Sequence, residues 1–295
     1  MAPMNDLRAG SLCVVAAAVL WGFWPAWVRG GGSGAASATV ALLVAGVVGL
    51  PLALRERAHR AVAVPELRPT ARDFVLVALL GVSNALNTWF YFRALAEGAV
   101  APAVLSHYLA PVLVALFAPF FLRERTSPRT PLALVLALAG TAVLLLGAPG
   151  DGRADGQADR HAAWLGGSSA VFYAAAVLLS KAVAPRFGNA ELFSYHALVA
   201  TLVLLLLGGI PRGASGLAWP ALGALVSGLF AGMIYYEGLR RIPAERVGVL
   251  TYVEPVAAVV VGWVVFGEAP GLAALLGGGL VTAGGLLVVS QEAET

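Results

Sequence analysis

The chain has 295 residues, of which 59% are hydrophobic and 12% charged, with a formal net charge of +3. Soluble globular domains carry roughly 25% charged residues. Too few polar groups remain here to clothe a water-soluble surface, and the small positive charge, spread between apolar runs, gives no basis for nucleic-acid binding.

The apolar runs are of membrane-spanning length. In chain order they cover about 11–28, 36–54, 72–95, 99–122, 130–148, 163–183, 191–210, 217–239, 244–266 and 271–290. The first has the apolar stretch of a secretory signal. It continues through Arg29-Gly30-Gly31-Gly32 into a second apolar run, with no cleavage site followed by a soluble domain, and is read as a span. Strands of a transmembrane barrel would alternate polar and apolar residues, and no such alternation occurs. The expected fold is an all-α membrane protein of ten transmembrane helices. The single cysteine, Cys13, allows no intramolecular disulfide and reads as a small apolar packing residue. Lys181 is the lone lysine among 19 basic residues. Arginine in place of lysine, with abundant Ala and Gly, points to a GC-rich bacterial genome and hence to the bacterial inner membrane.

Loop charge orients the chain. With both termini cytoplasmic, the inner segments hold Arg8, Arg55, Arg57, Arg60, Arg68, Arg72, Arg123, Arg125, Arg129, Lys181, Arg186, Arg240, Arg241 and Arg246. The outer ones hold Arg29, Arg93, Arg153, Arg160 and Arg212, so the positive-inside rule favours this topology.

The segment from Tyr91 to Glu124 recurs 144 residues later, from Tyr235 to Glu268. Tyr91 maps to Tyr235, Leu95 to Leu239, Tyr108 to Tyr252, Pro111 to Pro255 and Val112 to Val256. Five spans per half is an odd number, so the halves must be inverted. Matched loops accordingly carry opposite charge content: Glu97-Gly98 against Arg240-Arg241, and Arg123-Glu124-Arg125 against Gly267-Glu268-Ala269. The division is 1–148 for the first five-helix repeat, 149–162 for a polar linker and 163–295 for the second repeat. Two inverted repeats with a site between them are the architecture of alternating-access transporters.

Intramembrane polar groups face protein or a water-filled cavity, because hydrocarbon offers them no partner. Pro111 and Pro255 sit mid-span, and each removes a backbone donor, freeing the carbonyls of His107 and Thr251. They read as hinges in two kinked, cavity-lining helices, or as structural kinks satisfied by neighbours. Glu254 lies about ten residues into its span and has to be protonated, paired or hydrated. Its roles are cation binding, proton carriage or a helix-holding hydrogen bond. Glu237 can reach Arg240 and Arg241 at i+3 and i+4. Asn84, Asn87, Thr88 and Tyr91 share one helix face, opposite small residues (Gly228, Ala231, Gly232) at the matching positions of the other half. That face serves substrate recognition or interhelical bonding. Trp21 and, at an offset of 152, Tyr173 lie deep in their spans, and Tyr108, Tyr235 and Tyr252 add aromatic faces suited to flat or cationic substrates. Trp27 and Trp89 read as interfacial belt residues. Glu191, Tyr195 and His196 read as lying at the cytoplasmic interface. Gly277 to Gly285 reads as a close-packing helix face. No metal-ligand spacing, phosphate loop or nucleophile motif is present, so no cofactor, no metal and no enzymatic activity are expected.

These features resemble the drug/metabolite transporter superfamily, specifically its EamA-type ten-helix transporters. The marks are Leu20-Trp21-Gly22, Tyr91-Phe92-Arg93-Ala94-Leu95, Leu109-Ala110-Pro111-Val112 running to Leu122-Arg123-Glu124-Arg125, and Val253-Glu254-Pro255-Val256 running to Phe266-Gly267-Glu268. The resemblance implies two inverted five-helix repeats around a cavity lined by the first, third, fourth, sixth, eighth and ninth helices. It also implies export or exchange of amino acids, amines, drugs or other small metabolites, with protons as a candidate coupling ion. An aromatic amino acid exporter is the nearest analogy for the aromatic lining. The expected partners are a small-molecule substrate and the lipid bilayer. Metabolite export comes first. Exchange or uptake of a cationic or quaternary amine, and a membrane scaffold or channel without alternating access, stand beside it.

Overall fold

A computed structural model describes residues 4–29, 35–97, 100–146, 156–208, 218–267 and 269–290. The expectations placed on Gly30-Gly31-Gly32, Gly98, Arg153, Arg212, Glu268 and the first half of the linker lie outside the described residues.

Among the described residues every regular element is a helix, because a helix satisfies its own backbone groups where no water can. The chain opens with α1 (Met4–Trp21) and the short α2 (Trp24–Arg29), then α3 (Ala35–Ala63) and α4 (Ala71–Glu97). A broken rod follows, α5 (Val100–His107) and α6 (Ala110–Phe121), and then α7 (Thr130–Leu146). After it come α8 (Gly156–Val183) and α9 (Asn189–Leu206). Next, α10 (Ala218–Gly223) passes through a π-helical stretch at Ala224–Phe230 into α11 (Ala231–Arg241). A second broken rod, α12 (Ala244–Thr251) and α13 (Val253–Phe266), precedes α14 (Leu272–Ser290).

Among the described residues, seven stretches are long and apolar enough to cross a membrane: Ala36–Ala63, Ala71–Glu97, Pro102–Phe121, Arg160–Arg186, Asn189–Leu206, Ala218–Arg241 and Ala244–Phe266. The apolar helices Thr130–Leu146 and Leu272–Val288 are shorter. The predicted span 11–28 is not one helix but α1 and α2, parted at Gly22-Phe23. The predicted limits also stop short. The span expected over 36–54 continues to Ala63, because Arg55-Glu56-Arg57 carries the helix out of the apolar zone to meet α9. There Glu56 Oε2 accepts from the free N–H groups of Ala190 (2.9 Å) and Glu191 (3.1 Å) at the start of α9, and Arg60 donates to the Pro185 carbonyl at 2.8 Å.

Small residues set how the rods meet. Apolar burial drives no association between helices in lipid, so close backbone approach and dispersion have to do it. A Cβ on Gly140 would stand 2.6 Å from the Gly277 carbonyl oxygen, and one on Gly284 would stand 2.8 Å from that of Ala133. Thus α14 lies directly on α7, and the glycine run is the packing face expected. Gly10 and Gly238 bring α1 onto α11 in the same way.

One end of the bundle is tied by reciprocal capping. Lys181, at the end of α8, donates to the Leu239 (2.5 Å) and Ile242 (2.6 Å) carbonyls at the end of α11. Arg240, at the end of α11, donates back to Ala184 (2.8 Å) and Phe187 (2.6 Å) beyond the end of α8. Glu124 pairs with Lys181 at 3.5 Å and accepts from the Ala244 N–H at 2.7 Å, so the same carboxylate caps α12. Positive side chains at helix C-termini and a carboxylate at an N-terminus match the helix dipoles. Glu237 does reach both Arg240 and Arg241, as expected, and takes a further bond from Asn189 at 3.0 Å.

Candidate functional site

The two prolines do break their helices. The α5–α6 rod is interrupted at Tyr108-Leu109 and the α12–α13 rod at Tyr252, three residues before Pro111 and Pro255. The breaks touch. Tyr252 donates its hydroxyl to the Tyr108 carbonyl at 2.6 Å, and the two rings stack with centroids 5.6 Å apart. These residues are 144 positions apart, the offset of the sequence repeat. Gly248 brings α12 against Pro111, where a Cβ would meet the proline Cβ at 3.1 Å.

Aromatic side chains gather around the breaks. The His107 ring lies 4.3 Å from Tyr91, 5.7 Å from Tyr108 and 5.5 Å from Tyr173, centroid to centroid. Trp21 packs on Tyr235 at 5.0 Å. A narrow cavity joins the two groups. Tyr173 and Tyr235 line it together with Pro111, Val114, Gly248 and Thr251. It has essentially no room for a water-sized molecule, far short of the roughly 300 Å³ at which pockets for drug-sized ligands begin.

Glu254 sits at the start of α13, directly after the break, and is half-buried. It has no hydrogen-bond or ion-pair partner among the described residues. It lies close enough to Tyr91, Tyr108 and Tyr173 to couple to them electrostatically. Those are the three tyrosines around His107. Of the three states open to this carboxyl, pairing within the described protein is therefore removed. Asn84 and Asn87 lie on the Tyr91 face of α4, and the structure brings neither to the cavity wall. The Asn87 Oδ1 is nonetheless buried without a partner, as is the Tyr235 hydroxyl. Pro255 stands behind its break and does not line the cavity.

Two polar residues near the site are not among those singled out from the sequence. Ser169 of α8, wholly buried, stands 2.7 Å from His107 Nδ1 and donates to the Gly166 carbonyl at 2.8 Å. Ser227, in the π-helical stretch, donates to the Leu20 carbonyl at 2.6 Å and accepts from Trp27 Nε1 at 2.9 Å. It thereby adds a second bond to the Leu20 carbonyl near the end of α1, which also accepts from the Phe23 N–H at 3.3 Å. Both had a faint signal: Ser169 precedes Tyr173 by one turn, and Ser227 is the repeat mate of Ser83. Trp27, read as a belt residue, is pinned to Ser227 and packed on Gly223. Glu191 and His196 are buried within the protein. His196 bonds the Leu192 carbonyl at 2.8 Å and packs between Phe193 and Tyr236 because α9 is covered by α3, α4 and α11.

An all-helical membrane protein with broken helices meeting around a polar, aromatic centre defines a transporter-type fold. The profile of the EamA-like transporter family matches residues 8–146 and again residues 162–290. The chain belongs to that family, within the drug/metabolite transporter superfamily. It is 30% identical over 286 residues to an uncharacterized transporter of Archaeoglobus fulgidus, covering 95% of this chain and 96% of that one. It is 28% identical over 261 residues to a probable terminal-alkyne amino-acid exporter of Streptantibioticus cattleyicolor, covering 82% and 84%. An uncharacterized transporter of Bacillus subtilis is 26% identical over 225 residues, covering 75% and 71%. A protein solved by crystallography shares the fold with a TM-score of 0.76 at 23% identity, over 95% of this chain and 97% of its own. The chain is a multi-pass membrane protein of the EamA transporter type.

Proposed function

We propose that this transporter exports small organic metabolites, amino acids or amine-like compounds, across the bacterial inner membrane by alternating access. In this reading the ten predicted spans form two inverted five-helix repeats, with both termini cytoplasmic. The repeats rock about the level of Pro111 and Pro255. The substrate sits among Trp21, Asn84, Asn87, Tyr91, His107, Tyr108, Tyr173, Tyr235, Tyr252 and Glu254. The observation that carries the proposal is Glu254: a carboxyl without a protein partner, beside a helix break and three tyrosines. An ionisable group left unpaired at such depth is costly, and it is kept where a substrate or ion uses it. The twofold match to the family profile supports two related halves, and the Streptantibioticus relative supports an amino-acid cargo.

The experiment is a thermal-shift screen of the purified chain across amino acids, amines and nucleosides, followed by flux of the stabilising compounds in proteoliposomes. Alternating access predicts saturable uptake accelerated by the same compound on the opposite side. Flux that rises linearly with concentration would mark a channel, and no flux from any stabilising compound would mark a scaffold.

A further inference from the structure

Hydrogen-bond logic fixes how the histidine at the centre of this site is protonated. Ser169 is fully buried and has one hydroxyl proton, which goes to the Gly166 carbonyl at 2.8 Å. Both short contacts of Ser169 are hydrogen bonds at once only if its oxygen accepts from His107 Nδ1, 2.7 Å away. The neutral imidazole then carries its proton on Nδ1 and leaves Nε2 as a bare acceptor. No described residue bonds that nitrogen. The Glu254 carboxyl, coupled to the same three tyrosines, also has no partner, and ionised beside a bound cation it is a second acceptor. Tyrosine hydroxyls adapt as donor or acceptor, but an ionised carboxylate and a bare imidazole nitrogen only accept. A site with an excess of acceptors and a negative charge calls for a ligand that brings hydrogen-bond donors and a positive charge.

Resting on the proposed transport function, we infer that this centre recognises the protonated primary amino group of an aryl- or alkyl-amine, with Glu254 and His107 Nε2 accepting its N–H groups and Ser169 acting as the positioning residue that sets the His107 tautomer. A quaternary ammonium carries the same charge but no N–H, so it would leave both acceptors unsatisfied. A carboxylate or an alcohol brings too few donors or the wrong charge. The rings of Tyr91, Tyr108 and Tyr173 around His107 offer apolar faces to the body of such an amine.

The test uses four probes on the purified full-length protein, measured by competition binding and by thermal stabilisation: phenethylamine, its N,N,N-trimethyl derivative, 3-phenylpropionate and 2-phenylethanol. The expected result is binding of phenethylamine at least tenfold tighter than of the trimethyl derivative, with the acid and the alcohol weaker still. Sites built to hydrogen-bond a donor discriminate strongly against an analogue lacking it. Ser169→Ala frees the imidazole to change tautomer and should shrink the primary-to-quaternary ratio several-fold, with little change for the trimethyl compound itself. A merely structural serine would weaken both equally. Equal binding of the two ammonium probes to the wild type would overturn the inference and leave a cation site at Glu254 standing. Tighter binding of the acid or the alcohol would overturn both the inference and an amine cargo. The wild-type ratio decides the matter even where Ser169→Ala fails to fold.

Discussion

Asn87 keeps a buried amide oxygen without a partner, a state that costs about 1–3 kcal/mol relative to a bonded one. A residue serving helix packing would have spent that oxygen on a neighbour. Asn87→Ala is therefore expected to leave the thermal midpoint unchanged or slightly raised, and to weaken substrate affinity about 5–10-fold in a binding assay. A lower midpoint with unchanged affinity would assign Asn87 to packing instead. The residues that sequence reasoning found here, Glu254, His107 and the tyrosines, share one trait: they are too polar or too large to sit in a span without a reason. Ser169 and Ser227 escaped notice because a serine fits a transmembrane helix at little cost by bonding its own backbone. What makes them matter is a partner 62 or 207 positions away, which only tertiary packing supplies.

The helices themselves were legible where backbone chemistry fixes them. Proline deletes a donor, so the breaks before Pro111 and Pro255 follow from sequence alone. The parting of α1 from α2 at Gly22-Phe23 and the π-helical stretch at Ala224–Phe230 are a different matter. They accommodate each other through Ser227 and Trp27, and neither has a local cause strong enough to read. The clasp between α8 and α11 belongs to the same class. Lys181 satisfies two carbonyls at the end of α11 while pairing with Glu124. Lys181→Met keeps the stem but strands both carbonyls and one carboxylate. It should destabilise the protein by about 2–4 kcal/mol, from the usual penalty of about 1–3 kcal/mol per stranded polar group, measured as a lower thermal midpoint in detergent. An unchanged midpoint would show that the clasp contributes nothing. On the opposite face, Gly277→Val would drive a side chain into the Gly140 carbonyl. Separation of α14 from α7 should follow, with a loss of about 1–3 kcal/mol, read as a lower midpoint and reduced monodispersity.

For the whole molecule, the repeat is the organising feature. It predicts that equivalent residues of the two halves meet where the halves meet. Tyr108 and Tyr252 do so, stacked and hydrogen-bonded across the two breaks. The halves also depart from each other. Tyr173 lies in a continuous α8, whereas its counterpart Trp21 ends α1, and Glu254 stands where the first half has Ala110. In the proposed reading, shared positions build the scaffold, and unlike positions build a centre with one unpaired carboxyl close to three tyrosines. That carboxylate is the centre of the account, and counterflow in proteoliposomes tests it most directly. Wild-type protein should exchange a labelled primary amine or amino acid with saturation and trans-acceleration. Glu254→Gln, which keeps the shape and removes the charge, should lose that exchange while keeping its expression level and thermal midpoint. Exchange at the wild-type rate in the glutamine variant would contradict the account.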